Sequence, residues 1–119
     1  MRWLPKILGQ RGERLAGQFL KRKGYRVIAR NFRVKGGEVD LVCRNGDCLV
    51  FVEVKTRTAG GLGFPEDAVR QEKRRRLVRA VNLYLARLAQ PPQYRIDVVS
   101  IEHSPDGSNH IVHYENVTA

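Results

Sequence analysis

The chain has 119 residues, 42% of them apolar and 29% charged, and carries a formal net charge of +10. That length and balance point to one soluble domain with its own core and argue against a disordered chain. No apolar run approaches the ~20 residues of a membrane span, and the excess of 22 basic over 12 acidic side chains favours polyanionic partners, nucleic acid before membrane surface. The opening Met1-Arg2-Trp3-Leu4-Pro5-Lys6 shows no apolar stretch followed by a cleavage site, so the expected location is the cytoplasm and no membrane partner is expected.

In chain order, Gly9 to Lys23 reads as a first helix. Leu15, Ala16, Phe19 and Leu20 recur at helical spacing, and Gly24 is a natural stop. Glu13 falls in the first turn of that helix, where a carboxylate favours the helix dipole. Spacing alone gives the dipole and a catalytic role equal weight. Tyr25 to Val34 reads as a strand, closed by the turn Lys35-Gly36-Gly37.

Two acid-bearing strands follow. The first is Gly37-Glu38-Val39-Asp40-Leu41-Val42. The second is Leu49-Val50-Phe51-Val52-Glu53-Val54-Lys55. Acids are depleted in apolar strands and costly when buried, so a chain that places several there uses them together. Side chains alternate across a strand, and Asn45-Gly46-Asp47 signals a hairpin. Glu38 and Asp40 then share a face with Glu53 and Lys55. A Gly46-Asp47 turn sets Asp40 directly opposite Glu53; an Asn45-Gly46 turn shifts that pairing diagonally but keeps the face, and a bulge would break the parity. Cys43 and Cys48 fall on the opposite face and read as small buried hydrophobes, not as a zinc site or a disulfide.

The segment Thr58-Ala59-Gly60-Gly61-Leu62-Gly63 has the composition of a mobile loop and matches no phosphate-binding motif. Pro65 opens a long second helix with Glu66 and Asp67 in its first turn, running to about Leu88. Its apolar stripe is Leu77, Val81, Tyr84, Leu85 and Leu88, and its middle, Arg70 to Arg76, is densely basic. This basic stretch reads as a phosphate-contacting surface rather than a merely solvated face. Tyr94 to Glu102 and Ile111 to Val117 read as two final strands around the turn Ser104-Pro105-Asp106-Gly107. The result is an α/β fold, with a central mixed five-stranded sheet and one main helix on each side.

Magnesium takes oxygen ligands, commonly one or two carboxylates completed by water and substrate phosphate. Asp40 and Glu53 suit that role, with the Val54 carbonyl as a third ligand. Lys55, on the face of Glu53, can orient the attacking water and offset charge on the phosphate. The competing reading is a surface ion pair between Glu53 and Lys55, worth ~0–1 kcal/mol; the apolar run around Glu53 disfavours it.

Asp40 followed by Glu53-Val54-Lys55 resembles the PD-(D/E)XK nuclease superfamily. The fuller set resembles the small bacterial UPF0102 family, also called the YraN family. It comprises Gly9-Gln10-Arg11-Gly12-Glu13, Gly24-Tyr25, Arg30-Asn31-Phe32-Arg33, Gly37-Glu38-Val39-Asp40-Leu41, Val50 to Arg57, and Arg95-Ile96-Asp97-Val98-Val99. The resemblance implies the restriction-endonuclease-like fold and a likeness to archaeal Holliday junction resolvases, which are dimeric and magnesium-dependent. It implies a metal-dependent DNA endonuclease using Mg2+ or Mn2+, with branched DNA as one substrate class and a homodimer open to the chain. It assigns Asp40 and Glu53 as metal ligands, Lys55 as catalytic lysine and Glu13 as a carboxylate offered to the metal from the first helix. Glu38 supports these ligands from beside them. Arg57, Gln71, Lys73 and Arg74 are the nucleic-acid contacts it suggests. The superfamily's proline before the first acid is replaced here by Val39. Two other function classes remain: a nucleic-acid-binding module of the same fold without cleavage, and an adaptor that docks an acidic partner through the basic helix. The adaptor predicts no salt-sensitive DNA affinity.

Overall fold

The computed structural model describes residues 3–58 and 66–117, with side chains described over 11–58 and 71–117. The glycine-rich stretch from 59 to 63 and Pro65 lie outside the described residues, as do the side chains of Glu66 and Asp67. Two helices and five strands follow in the order α1 (Trp3–Arg22), β1 (Arg26–Val34), β2 (Gly37–Asn45), β3 (Cys48–Thr58), α2 (Glu66–Leu85), β4 (Gln93–His103) and β5 (Asn109–Tyr114). The sheet runs β1-β2-β3-β4-β5. All neighbours are antiparallel except β3 and β4, which are parallel and joined through α2. A parallel pair needs such a crossover, because a tight turn cannot return the chain to the same end. This mixed five-stranded sheet with two helices is consistent with the expected restriction-endonuclease-like fold.

Each helix covers one face, and alternation along the strands supplies two separate apolar layers. Ala16 and Leu20 of α1 pack on Leu41, Cys43, Val50, Val52, Val99 and Ile101. Leu77, Ala80 and Val81 of α2 pack on Val39, Val42, Leu49 and Phe51. The cysteines are free and lie on the α1 side as expected, and burial pushes the Cys43 thiol up to about 11. Leu88 lies beyond the end of α2 and is exposed, so the apolar stripe is one turn shorter than its spacing suggested.

Helix α1 begins at Trp3, not near Gly9, because proline is tolerated in a first helical turn. Glu13 therefore sits in mid-helix, and the dipole explanation for it falls away. The helix ends as read. Gly24 takes φ +94°, Tyr25 N–H bonds to the Leu20 carbonyl at 2.9 Å and Gly24 N–H to Lys21 at 3.0 Å. This is a Schellman ending, which needs a left-handed residue where Gly24 stands.

Candidate metal centre

The β2–β3 hairpin turns through Gly46-Asp47, with Asn45 opposite Cys48 and Leu41 opposite Val52. Continued by one pair, this register would place Asp40 against Glu53, the pairing of the first of the two turns read from sequence. The ladder stops one pair earlier. Asp40 Oδ2 accepts the Val54 N–H at 2.7 Å, taking the place of the backbone acceptor that Val39 would supply in an unbroken ladder. Parity also changes here: Val39 and Val42 both join the α2 layer, while Leu41 joins the α1 layer. On β1 the break is matched by Asn31, which lies between Arg30 (opposite Leu41) and Phe32 (opposite Val39) and takes φ +51°. Asparagine tolerates that left-handed conformation better than most residues. The sheet thus forks where the acids cluster.

Two glycines bring the helices onto this fork. A Cβ on Gly12 would overlap Thr56 Cγ2, so α1 approaches the end of β3 closely and carries Glu13 with it. A Cβ on Gly37 would stand 2.5 Å from the Arg76 carbonyl oxygen, so α2 approaches the start of β2 equally closely. The cleft between β2, β3 and α2 is lined by Glu38, Asp40, Glu53, Lys73, Arg76 and Leu77.

The electrostatics reflect that crowding. Burial pushes Asp40 up to about 6; the Val54 N–H and Lys73 pull it down, while Glu13 and Glu53 push it further up. Burial also raises Glu13, against a hydrogen bond with the Asn31 side chain. Lys73 Nζ lies 3.8 Å from Glu53 Oε1, and Arg33 Nε lies 3.7 Å from Glu38 Oε2. The Lys55 side chain is half-buried on β3 beyond Glu53, makes no hydrogen bond or ion pair with another described residue and does not line the cleft.

Of the residues picked out from sequence, Glu38, Asp40, Glu53 and Lys73 meet in one cleft, with Glu13 close enough to influence Asp40. Arg74 does not join them. It lines a groove on the outer side of α2 with Arg75, Val78, Arg79, Asn82 and Leu83. Gln71 and Arg57 are exposed and do not line the cleft. Arg76 was not singled out and does line it. Its signal was present: Lys73, Arg76 and Leu77 share a helix face at intervals of about three to four residues.

The donors fit a hard divalent cation in kind. All are oxygens, Asp40 Oδ1 has no hydrogen-bond partner among the described residues, and the Val54 carbonyl faces the same side as its N–H, toward Asp40. No three of Glu13, Glu38, Asp40 and Glu53 bring ligand atoms within 4.8 Å of one another. Among the described residues the group that does is Asp97, His113 and Glu115, on β4 and at the end of β5.

That second group is already satisfied without an ion. Asp97 is fully buried and accepts from Arg95 Nε at 3.0 Å, Asn116 N–H at 2.9 Å and His113 Nε2 at 2.8 Å. Tyr25 donates to Glu115 at 2.8 Å, and Arg95 also reaches both Tyr25 and Glu115. Lys23 Nζ stands 2.8 Å from His113 Nδ1. An ammonium can only donate, so Nδ1 accepts and Nε2 carries the proton given to Asp97. Arg95 pairs with both carboxylates, and neither imidazole nitrogen is left for a metal. This network ties the end of α1 to the β4–β5 edge. Its hub, Asp97, had entered only through its resemblance motif, yet an aspartate in an apolar strand was the same signal that marked Asp40 and Glu53.

Among the described residues no helix is long and apolar enough to cross a membrane. Residues 12–101 match the family model described as uncharacterised protein family UPF0102. A UPF0102 protein of Symbiobacterium thermophilum is 52% identical over 105 residues, covering 87% of this chain and 89% of its own. One from Geobacter sulfurreducens is 46% identical, covering 93% and 88%, and one from Carboxydothermus hydrogenoformans is 38% identical, covering 92% and 93%. The sequence similarity spans the forked hairpin, both glycine contacts and the second helix, and the chain belongs to the UPF0102 family.

Proposed function

We propose that the protein is a metal-dependent endonuclease that hydrolyses phosphodiester bonds in DNA, branched DNA included. The observation that carries this reading is the cleft at the fork of the sheet, lined by Asp40 and Glu53 together with Lys73 and Arg76. Asp40, Glu53 and the Val54 carbonyl would hold Mg2+ or Mn2+, with Glu13 offered from α1. When bound, such an ion polarises the phosphoryl oxygen and lowers the pKa of coordinated water. Lys55 orients the attacking water and offsets charge building on the phosphate. Lys73 and Arg76 hold neighbouring phosphates, and the net charge of +10 draws the polyanion in. The Val54 N–H keeps the Asp40 carboxylate turned so that Oδ1 is the free oxygen.

One observation favours a second reading, a nucleic-acid-binding module of this fold without cleavage. The candidate ligands do not converge within 4.8 Å as threes. The test is a cleavage panel with Mg2+ or Mn2+ and labelled four-way junction, flap, duplex and single strand, with Asp40→Asn beside the wild type. Metal-dependent cuts lost in the variant support the nuclease, and the preferred lane names the substrate class. Cuts that persist in Asp40→Asn refute the site. Salt-sensitive binding without cuts supports the module.

A further inference from the structure

We infer that Lys73 is a built-in counter-cation: it holds Glu53 while the centre is metal-free and is released to nucleic-acid phosphate when a divalent ion enters. The inference rests on the metal-centre reading above and adds a coupling between the two ligands.

Lys73 is the cation that touches the centre. Among the described residues Glu53 pairs with Lys73, at 3.8 Å, and Lys73 also favours the ionised form of Asp40. Arg76 lines the same cleft and pairs with neither acid among the described residues. The two partners differ in freedom. The Glu53 side chain is 15% exposed on a strand bonded along its length to β4, whereas the Lys73 side chain is 53% exposed. Leu77, one turn further along α2, is buried and anchors the helix. The backbone of Lys73 is therefore fixed while its ammonium swings on a four-carbon stem.

Asp40 and Glu53 would hold a divalent ion whose charge replaces the balance that Lys73 supplies. Lys73 would then be free to turn toward solvent at the mouth of the cleft and meet the phosphates of a bound strand. By linkage, metal and nucleic acid strengthen each other's binding, and Lys73 carries part of that coupling. An entering ion would break the Lys73–Glu53 pair, and one unit pair at 3.8 Å in a water-like dielectric corresponds to about fivefold in affinity, within a range of about three- to tenfold.

The experiment titrates the full chain with Mn2+, followed by electron paramagnetic resonance, in wild type, Lys73→Met, Arg76→Met and Asp40→Asn. It then measures by anisotropy how far Ca2+ tightens binding of a labelled DNA duplex in each. Lys73→Met is expected to bind Mn2+ about three- to tenfold more tightly and to lose most of the Ca2+-dependent gain in DNA affinity. Arg76→Met, with the same loss of charge but no contact to Glu53, is expected to change Mn2+ affinity less than about twofold. Unchanged or weaker Mn2+ binding in Lys73→Met overturns the inference, as does equal tightening in Arg76→Met. If Mn2+ binding is absent from wild type or survives in Asp40→Asn, the metal centre itself is refuted and the inference with it.

Discussion

Replacing Asp40 with asparagine should stabilise the metal-free protein at neutral pH while removing a candidate ligand. Burial raises the Asp40 carboxyl from 3.8 to about 6. An upward displacement of that size corresponds to about 3 kcal/mol against the ionised native form well above pH 6. Residual solvent access and adjustment of Lys73 bring the expected gain down to about 1–2 kcal/mol, or roughly 4–8 °C in melting temperature for a domain of this size. The asparagine carbonyl can still accept the Val54 N–H, so the fork is kept. The sign follows from proton binding. Between about pH 4 and 6 the native carboxyl holds its proton more firmly than the unfolded one. The contribution of Asp40 to stability is therefore full below pH 4 and is lost as pH rises through 6. Thermal melts of both proteins from pH 4.5 to 8.5 in EDTA should show a gap that is small at the acid end and widens to a plateau above pH 7. Adding Mg2+ at pH 8 should then raise the wild type and leave the variant unmoved. A variant melting at or below wild type at pH 8, or a gap that does not widen between pH 5 and 7, would refute this account of the centre.

Gly12→Ala should cost about 1–3 kcal/mol in urea unfolding, because its methyl meets Thr56 Cγ2, and Thr56→Ser should restore part of the loss. Gly37→Ala meets the backbone carbonyl of Arg76 instead, so no nearby side-chain truncation should rescue it. Asp97→Asn should destabilise by about 3–5 kcal/mol, since one amide cannot accept from Arg95, His113 and the Asn116 N–H together. The folded fraction of that variant should keep its Mn2+ binding, and loss of the ion from folded protein would show that Asp97 is a ligand after all. With Ca2+ present, removing both Lys73 and Arg76 should lower the slope of log affinity for duplex DNA against log salt by about 2, and an unchanged slope would place the phosphates elsewhere.

Much of the framework could be read from local pattern. The hairpin turn, the two-sided strands and the α2 stripe through Leu77 and Val81 follow from alternation and helical spacing, and the structure has them where the pattern puts them. The fork itself could not be read that way. It depends on a carboxylate replacing a backbone acceptor across two strands and on Asn31 turning left-handed inside an apparently regular β1. Neither leaves a periodic trace. Which cations of the basic run face the centre was legible in principle. Fixing Leu77 to the core places Lys73 and Arg76 beside it and turns Arg74 away. The hub at Asp97 was hidden differently, since it accepts from Arg95 on its own strand and from His113 and Asn116 near the end of the chain, and Tyr25 joins only through Arg95 and Glu115.

The forked sheet also gives the two sides of the cleft unequal stiffness. Strand β3 is bound to β4 at every position from Cys48 to Thr58, so Glu53 and Lys55 ride on a rail. Beyond Leu41, β2 is joined to β3 by the carboxylate of Asp40 rather than by backbone rungs. That end of β2 is held from its other side, by β1 and by Val39 in the α2 layer. The joint that spans Asp40 and Glu53 is thus looser than the outer pairing of either strand. Amide exchange would register the asymmetry as early exchange at Val54, whose proton is guarded by a side chain, against late exchange at Val52.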